Sequence, residues 1–587
     1  NAGANGYNTA VGYNVGATLT TGVENTLIGA LAGDALTTGD YNVAVGTAAL
    51  GAEDAHGRNV AVGYYALNAQ NAGADAYNVA IGHTAGIAVS TGVQNIIIGG
   101  TAGDALTTGS YNIAIGHNAL GTEDSGLGNV AIGRNALASL NTGNNAYHVA
   151  IGYEAGKVIN TGLRGVFIGA HVADALTTGN DNVAIGYSAF STEDTGNKNT
   201  ALGAYALQDL NYDGDGHNTA VGYNAGAEIT TGTSNTLIGG LAGDALTDGN
   251  ANVAVGRGAL SGETRGDRNV AIGYEALLAQ NNTSDVDAYN VAVGYVAGTA
   301  MTTGIANTLI GGLAGDALTS GSSNVAIGYS ALSTEDAHGN NTAIGYKALQ
   351  DLNAGANGNN TAIGYDAGRR LSTGTENVTI GSLAGDHLTT GNSNVAVGYQ
   401  ALTAEDGHGK NVAIGHNTLR DQDAGADAYN TAVGFEAGKV ISTGINNTLI
   451  GGNAGDALTT GSQNIAIGRD ALSTEDTRGY NIAIGGYALQ DLNSAADGFN
   501  VAIGYSAGAE MTTGTYNTIL GAQAMHLGIT TGDYNVAIGY KAGDTITSGV
   551  RNTIVGTSAG DALTTGGYNV AIGMYALSAE DGHGKNV

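Results

Sequence analysis

The sequence predicts an all-β protein: a parallel β-solenoid (β-roll) of about 33 stacked coils of 17 to 19 residues. Three observations predict this fold. A motif of the form Asn-(Val/Thr/Ile)-Ala-(Val/Ile)-Gly returns at a short interval, its fourth position is almost always β-branched, and glycine occupies the fifth position of every complete coil. Because one repeat runs throughout, we predict a single continuous array over residues 1–587, a window of a longer chain.

The motif begins at Asn8, Asn25, Asn42 and Asn59 and continues to Asn569, which gives 33 complete coils. Most steps are 17 residues and nearly every fourth is 19, so four coil types, A to D, alternate with a superperiod of 70 residues. Coils A and B share a Thr-Thr-Gly turn, C coils usually carry Glu-Asp, and D coils are the long ones. The added residues enter at one place in the coil, which indicates a surface loop.

The recurrent glycine excludes a helical solenoid, because each one would weaken a helix by about 1 kcal/mol. β-Branched residues at position 4 favour a pleated strand. We predict a strand at positions 1 to 4, a bend at the glycine, and a second short strand around positions 8 and 12. Parallel stacking at about 4.8 Å per coil would then give a rod of roughly 160 Å.

Asparagine occupies position 1 in 31 of the 33 coils, and the exceptions are His148 and Gly165. When equivalent residues stack in register, asparagine amides hydrogen-bond along the stack as a ladder. We therefore predict a structural ladder, which includes Asn8, Asn25, Asn42, Asn59 and Asn235.

Composition limits the partners. The chain has 100 Gly and no Pro, Cys or Trp, but 42% apolar residues are enough for a continuous core. The formal net charge of −31 would repel phosphate backbones, so we expect no nucleic-acid partner. No apolar run approaches about 20 residues, so we expect no direct membrane insertion in this window.

The Asn-Val-Ala-Ile-Gly strings, often followed by x-x-Ala, resemble the head repeats of trimeric autotransporter adhesins, which form a left-handed parallel β-roll. Asn341-Thr-Ala-Ile-Gly-Tyr-Lys-Ala-Leu is similar to repeats of phage tail fibres. The likeness covers the whole window and implies a homotrimer at an extracellular, cell-surface or virion-surface location. It also implies attachment to a host or cell-surface receptor or glycan. The longer coils and the superperiod depart from the adhesin heads, so no binding loop is carried over.

The strand motif is apolar on both faces, since positions 2 and 4 face one way and position 3 the other. A strand apolar on both faces is buried on both. We predict that position 4 fills the coil's own core and that position 3 faces the other chains, with the opposite assignment left open. Position 3 is large in B coils, and the proposed trimer axis comprises Leu27, Ile97, Phe167, Leu237, Leu309 and Leu449.

Nearly every polar feature recurs with the repeat, whereas catalysis needs one unique constellation, so we predict no catalytic residue, no cofactor and no enzyme activity. Pairs such as Glu53-Asp54 are predicted to be solvated turns, and neighbours such as His56 to form local ion pairs. Asp213 and Asp215, in one D loop, are the candidates for a cation site, but they lack the distal Glu of a calcium loop, so we predict no metal.

The predicted function is a structural extracellular fibre shaft or adhesin head that provides length, stiffness, and surface display or attachment. The alternative is a self-assembling extracellular filament or surface-layer solenoid. A third option, a polysaccharide-degrading phage spike, requires a patch of non-repeating acids, and the sequence shows none.

Overall fold

The computed structural model describes residues 5–579 and 581–587. In this part of the chain every strand has three residues, at positions 2 to 4 of a coil, and there is no α-helix. The chain divides into two compact units, Asn1–Asn290 and Val291–Val587. Each unit is a parallel β-solenoid built from the same kind of coil, which confirms the predicted fold class.

The first unit contains 16 strands: β1 (Thr9–Val11), β2 (Thr26–Ile28), β3 (Val43–Val45), β4 (Val60–Val62), β5 (Val79–Ile81), β6 (Ile96–Ile98), β7 (Ile113–Ile115), β8 (Val130–Ile132), β9 (Val149–Ile151), β10 (Val166–Ile168), β11 (Val183–Ile185), β12 (Thr200–Leu202), β13 (Thr219–Val221), β14 (Thr236–Ile238), β15 (Val253–Val255) and β16 (Val270–Ile272).

The second unit contains 17 strands: β17 (Val291–Val293), β18 (Thr308–Ile310), β19 (Val325–Ile327), β20 (Thr342–Ile344), β21 (Thr361–Ile363), β22 (Val378–Ile380), β23 (Val395–Val397), β24 (Val412–Ile414), β25 (Thr431–Val433), β26 (Thr448–Ile450), β27 (Ile465–Ile467), β28 (Ile482–Ile484), β29 (Val501–Ile503), β30 (Thr518–Leu520), β31 (Val536–Ile538), β32 (Thr553–Val555) and β33 (Val570–Ile572).

Within each unit, every strand pairs in parallel with the next strand along the chain, and equivalent positions lie side by side. In β14 and β15, for example, Thr236 pairs with Val253 and Leu237 with Ala254. The N–H of Thr236 donates to the carbonyl of Asn252 at 2.8 Å. The strand of each coil offers a free edge to which the strand of the next coil hydrogen-bonds. Such stacking is expected because an isolated coil cannot bury its own apolar face.

The rest of the coil is a series of turns, so the predicted second strand is wrong. In the coil that begins at Asn25, the backbone is left-handed at Leu31 (φ 58°), Gly33 (φ 52°) and Tyr41 (φ 58°). A strand needs extended dihedral angles, and the left-handed residues Leu31 and Gly33 lie on either side of position 8, where the second strand was predicted. Inter-coil hydrogen bonds continue through the turns, as from the N–H of Gly33 to the carbonyl of Ala49 at 2.9 Å.

The glycine at position 5 is required by close approach between coils. Gly46 has φ 139°, and a Cβ atom there would lie 2.3 Å from the carbonyl oxygen of Gly63 in the next coil. No side chain fits this space, and L-residues avoid this part of dihedral space. The invariance of this position along the sequence follows directly.

Position 3 faces the interior of its own coil, so the orientation predicted from sequence is wrong. Position 3 is buried and positions 2 and 4 are half-buried or exposed in strand after strand. The physical reason is strand alternation, because position 1 and position 3 share a face and the asparagine at position 1 is buried. The six residues of the proposed trimer axis are fully buried within the single chain: Leu27, Ile97, Phe167, Leu237, Leu309 and Leu449.

Complementary side-chain sizes at positions 3 and 9 explain the four coil types. A methyl group at Gly226, position 9 of an A coil, would lie 2.7 Å from Leu237 Cδ1, and one at Gly243, position 9 of the following B coil, 2.9 Å from Leu237 Cδ2. The large position 3 of the B coil therefore occupies room left by two glycines. In C and D coils the sizes reverse, with alanine at position 3 and usually leucine at position 9, as in Ala61 and Leu67. Interiors pack at crystal-like density, so such exchanges conserve volume.

Candidate functional sites along the solenoid

The asparagine ladder joins neighbouring coils, and in A, B and C coils the amide of the ladder asparagine also closes its own coil. The N–H of Asn235 donates to Asn218 Oδ1 at 3.0 Å, and Asn235 Oδ1 accepts from the N–H of Asn252 at 3.0 Å. Asn235 Nδ2 donates to the carbonyl of Gly249, across its own coil, at 2.8 Å. Both kinds of bond recur at the buried Asn25 and Asn42 and at the half-buried Asn8, whereas the buried Asn59, in a D coil, bonds only to the preceding coil through its N–H and Nδ2. The ladder is structural, since its donors and acceptors are used between coils.

The two exceptions in the ladder have a packing explanation. His148 is buried, its Nδ1 accepts from the N–H of Gly165 at 3.0 Å, and its Nε2 lies 2.7 Å from the carbonyl of Gly162. The imidazole therefore replaces the acceptor and the donor of an asparagine, and burial lowers its pKa. A Cβ atom at Gly165 would lie 2.2 Å from Phe167 Cζ, so the phenyl ring occupies the missing side chain's space.

Every complete C coil before the last holds a glutamate at position 12, where A and B coils usually have leucine or isoleucine. These glutamates are fully buried, so the prediction of a solvated turn is wrong for them: Glu53, Glu123, Glu193, Glu263, Glu335, Glu405 and Glu475. The partner aspartates Asp54 and Asp406 are exposed, as predicted. Burial raises the pKa of Glu53, Glu193 and Glu475, and burial with nearby Asp423 and Asp406 raises the pKa of Glu405 to about 7.

The buried carboxyl group joins a C coil to the longer D coil. Glu193 Oε1 accepts from the N–H of Gly196 at 2.7 Å, and Oε2 accepts from the N–H of Tyr212 in the D coil at 3.1 Å. In the shorter coils these turn amides donate to carbonyls of the next coil, as the N–H of Thr20 does to Thr37. The inserted residues of the D coil move that backbone away, and the glutamate supplies the acceptors that the amides need.

The predicted cation candidates are engaged with protein partners. Asp215 pairs with Lys198, and Asp213 accepts from the hydroxyl of Thr195. Most of the position-10 aspartates of the B coils are half-buried, and Asp244 and Asp456 each have one buried carboxylate oxygen without a hydrogen-bond partner. C coils that lack a histidine at position 15 have glycine or arginine there.

Two surface features run along the coils. Positions 2 and 4 form a β-branched stripe, which includes Ile238 and Ile310, each about 40% exposed. In several coils the residue before the ladder asparagine is aromatic or cationic, and where such residues are consecutive they form a short aromatic column beside this stripe. In the second unit, consecutive rings stack with centroids 4.8, 5.0 and 4.8 Å apart and planes within 15° of parallel: Tyr480, Phe499, Tyr516 and Tyr534. In the first unit, Arg58 lies between Tyr41 and Tyr77 at 5.4 and 5.5 Å from their centroids.

A surface groove of about 460 Å³ lies in the first unit. Its lining consists of Thr122, Ser139, Asn141, Val158, Asn160, Thr177 and Thr178. None of these side chains is an acid or base near neutral pH, so the groove offers no proton-transfer group. Among the described residues no helix has the length and hydrophobicity to cross a membrane.

The fold therefore defines a class, a long parallel β-solenoid repeat protein, with polar side chains that mostly connect one coil to the next. No protein-family model matches the chain, and a search of curated proteins finds no similar sequence.

Proposed function

We propose that this chain is a structural shaft or adhesin head of an extracellular fibre at a cell or virion surface, with no catalytic role. The observation that carries the proposal is uniformity: within each unit every strand pairs with the next in register, and the ladder asparagine returns in 31 of the 33 coils. Each coil adds a fixed rise of about 4.8 Å, so the number of coils in a stack determines the length of that stack.

Stiffness within one unit is directly measurable, since the chain has no cysteine. Spin labels at Thr21→Cys and Thr231→Cys occupy equivalent exposed positions in coils 12 steps apart. We expect a narrow distance distribution centred at about 58 Å, from 12 steps of about 4.8 Å. A broad distribution, or a centre far below this value, would contradict a shaft.

We further propose that copies of the chain associate as a homotrimer through the β-branched stripe, and not through position 3. In the first unit this stripe is roughly 10 Å wide and 75 Å long, about 750 Å² of largely apolar surface. Monomeric proteins rarely expose contiguous apolar patches above about 600 Å². Packing three stripes around one axis buries them and closes the assembly.

The trimer has a matched test. Ile238→Lys with Ile310→Lys places two charges on the stripe, and Thr231→Lys with Thr303→Lys places two on exposed turns away from it. Sedimentation should show a trimer for the wild type and the turn variant, and a monomer for the stripe variant. A monomeric wild type would refute the trimer, and large open-ended species would instead favour the self-assembling filament.

For attachment, we propose the aromatic column as the contact surface for a host glycan. Flat rings present apolar faces against which the C–H face of a sugar packs, and the hydroxyl of tyrosine adds a polar contact. A glycan array probed with wild type and Tyr516→Ala tests this proposal. We expect the variant, which interrupts the four-ring stack, to lose signal, while unchanged binding would remove the column from consideration.

A further inference from the structure

A histidine joins the buried glutamate in three C coils. The groups are Glu53, Asp54 and His56; Glu335, Asp336 and His338; and Glu405, Asp406 and His408 with Asp423 from the adjacent D coil. In each group the possible ligand atoms lie within 4.8 Å of one another. The histidine Nδ1 lies 3.7, 3.3 and 3.7 Å from the glutamate Oε1 in the three groups. At the same position, the last C coil has His583, and the remaining C coils have Gly126, Gly196, Gly266 and Arg478.

A second observation is that two of these groups contain polar atoms without a partner, whereas in the third Glu335 Oε2 accepts from the N–H of Ala354 at 3.2 Å. Glu53 and Glu405 are fully buried, and the Oε2 atom of each has no hydrogen-bond partner. The Nδ1 atoms of His56 and His408 are also buried without a partner. An unpaired buried polar atom costs about 1 to 3 kcal/mol, and here two electron-pair donors that can bind a proton or a cation lie side by side.

The coils without the histidine do not share this defect. Glu193 Oε2 accepts from the N–H of Tyr212, and Glu475 Oε2 accepts from the N–H of Ser494, at 3.1 and 3.2 Å. The unpaired oxygens at Glu53 and Glu405 therefore belong to coils in which a histidine is present. In the Glu405 group, Asp406 and Asp423 add two further negative charges, which favour a cation.

The ligand types select the ion. Imidazole nitrogen with carboxylate oxygen suits Zn²⁺ and neighbouring transition metals, whereas Ca²⁺ and Mg²⁺ prefer oxygen alone. Two ligands on one ion with bonds of about 2.0 to 2.2 Å lie about 3.4 Å apart at a tetrahedral angle. The separations of 3.3 to 3.7 Å between Nδ1 and Oε1 agree with this spacing.

We propose that Glu405, His408 and Asp423 bind one divalent transition-metal ion of the Zn²⁺ class, and that the groups at Glu53 and Glu335 bind the same ion. The bound ion satisfies the buried carboxylate and the imidazole together. It also attaches a C coil to the adjacent D loop, which the Asp423 ligand supplies in the Glu405 group. No metal was predicted because Asp213 and Asp215 lack the distal glutamate of a calcium loop, and glutamates such as Glu53 were assigned separately to solvated turns, an assignment that their burial overturns.

The test measures how many Zn²⁺ ions the chelator-treated full chain binds, by calorimetry, with Co²⁺ absorption as a readout of the ligand field. His56→Gly, His338→Gly and His408→Gly together introduce the residue that other C coils have at this position, so the fold should persist. We expect this triple variant to bind three fewer ions than the wild type, and His83→Ala, whose ring stacks on Tyr64, to lose none.

A gain-of-site variant gives the reverse measurement. Arg478→His completes the same pattern beside Glu475 and Asp476, and we expect one additional ion to bind, whereas Arg478→Ala should add none. Equal numbers of ions in the wild type and the triple variant would overturn the proposal. So would an Arg478→His protein that gains none, or binding of Ca²⁺ as tight as that of Zn²⁺.

Discussion

Thr379 is the one small, polar residue at position 3 of a B coil, and replacing it with leucine should stabilise the protein. Its side chain is buried, and its hydroxyl Oγ1 has no hydrogen-bond partner. Gly368 and Gly385 occupy position 9 of this coil and the preceding one, the same arrangement that accommodates Leu237 elsewhere. The structure therefore provides room for a leucine in a place where threonine leaves a polar atom unsatisfied.

The magnitude has two parts. Removing the unsatisfied hydroxyl is worth about 1 kcal/mol or more, and each added buried methylene about 0.8 kcal/mol. After an allowance for imperfect fit, Thr379→Leu should stabilise by about 2 kcal/mol, and the isosteric Thr379→Val by about 1 kcal/mol. A solenoid opens locally, so the assay is native-state hydrogen exchange in β22. The N–H of Val378, which donates to Asn394, should exchange about thirtyfold more slowly in the leucine variant.

The matched control is Ala413→Leu, at position 3 of a D coil whose position 9 is already filled by Leu419. Overpacking there should destabilise by about 1 to 3 kcal/mol. If Thr379→Leu destabilises the protein, or if Ala413→Leu is tolerated equally well, the size rule that relates positions 3 and 9 is refuted.

Three further outcomes are expected. Asn235→Leu should destabilise by about 3 kcal/mol in thermal unfolding, because it leaves the N–H of Asn252 and the carbonyl of Gly249 unpaired, and an unchanged midpoint would count against that role. Gly46→Ala should disrupt its coil by collision with the next backbone, while Gly452→Ala, which meets no atom within 4 Å, should leave the circular dichroism melt unchanged. Burial raises the pKa of Asp456 from 3.8 to about 6, so its contribution to stability is present at low pH and is lost as pH rises through about 6. In metal-free buffer Asp456→Asn should reduce the fall in unfolding free energy between pH 4 and 7 by about 1 kcal/mol, a value discounted because water screens the half-buried group, and an identical pH profile would contradict the assignment.

The period, the parallel stacking and the position of the strand follow from the sequence, because a short repeat allows few structures. The ladder residue Asn235 also follows, since an amide in register with itself has an evident partner. The orientation of position 3 was wrong even though the same pattern contained the answer. A buried asparagine at position 1 requires position 3 to lie on the buried face, so Leu237 had to be internal.

The buried glutamates were missed for a different reason. A carboxyl group at a core position is ordinarily costly, so Glu193 was assigned to a solvated turn. Its partners are backbone amides, including that of Tyr212 in the following coil, and they lose their usual acceptors only because the D coil is longer. The glutamate lies in the C coil, and the extra residues that displace the usual acceptors lie in the D coil. The sequence of a single coil therefore does not show why the carboxyl group is buried. Alignment of coil types at position 12 was the available signal, since A and B coils usually have leucine or isoleucine there.

The exchange of sizes between positions 3 and 9 restricts how a gene for this protein can change its copy number. If recombination adds or removes a whole superperiod of 70 residues, each coil keeps neighbours of the same coil types, so the side chains at positions 3 and 9 still match in size. A displacement by a single coil, such as loss of residues 78–94, would bring Ile97 against Leu67 without the intervening Gly86. The one place where an A coil directly follows a B coil agrees with this restriction, because there position 9 of the B coil is the buried Met525 and not glycine. Variation in length among descendants of this gene should therefore be quantised in steps of four coils, about 19 Å each.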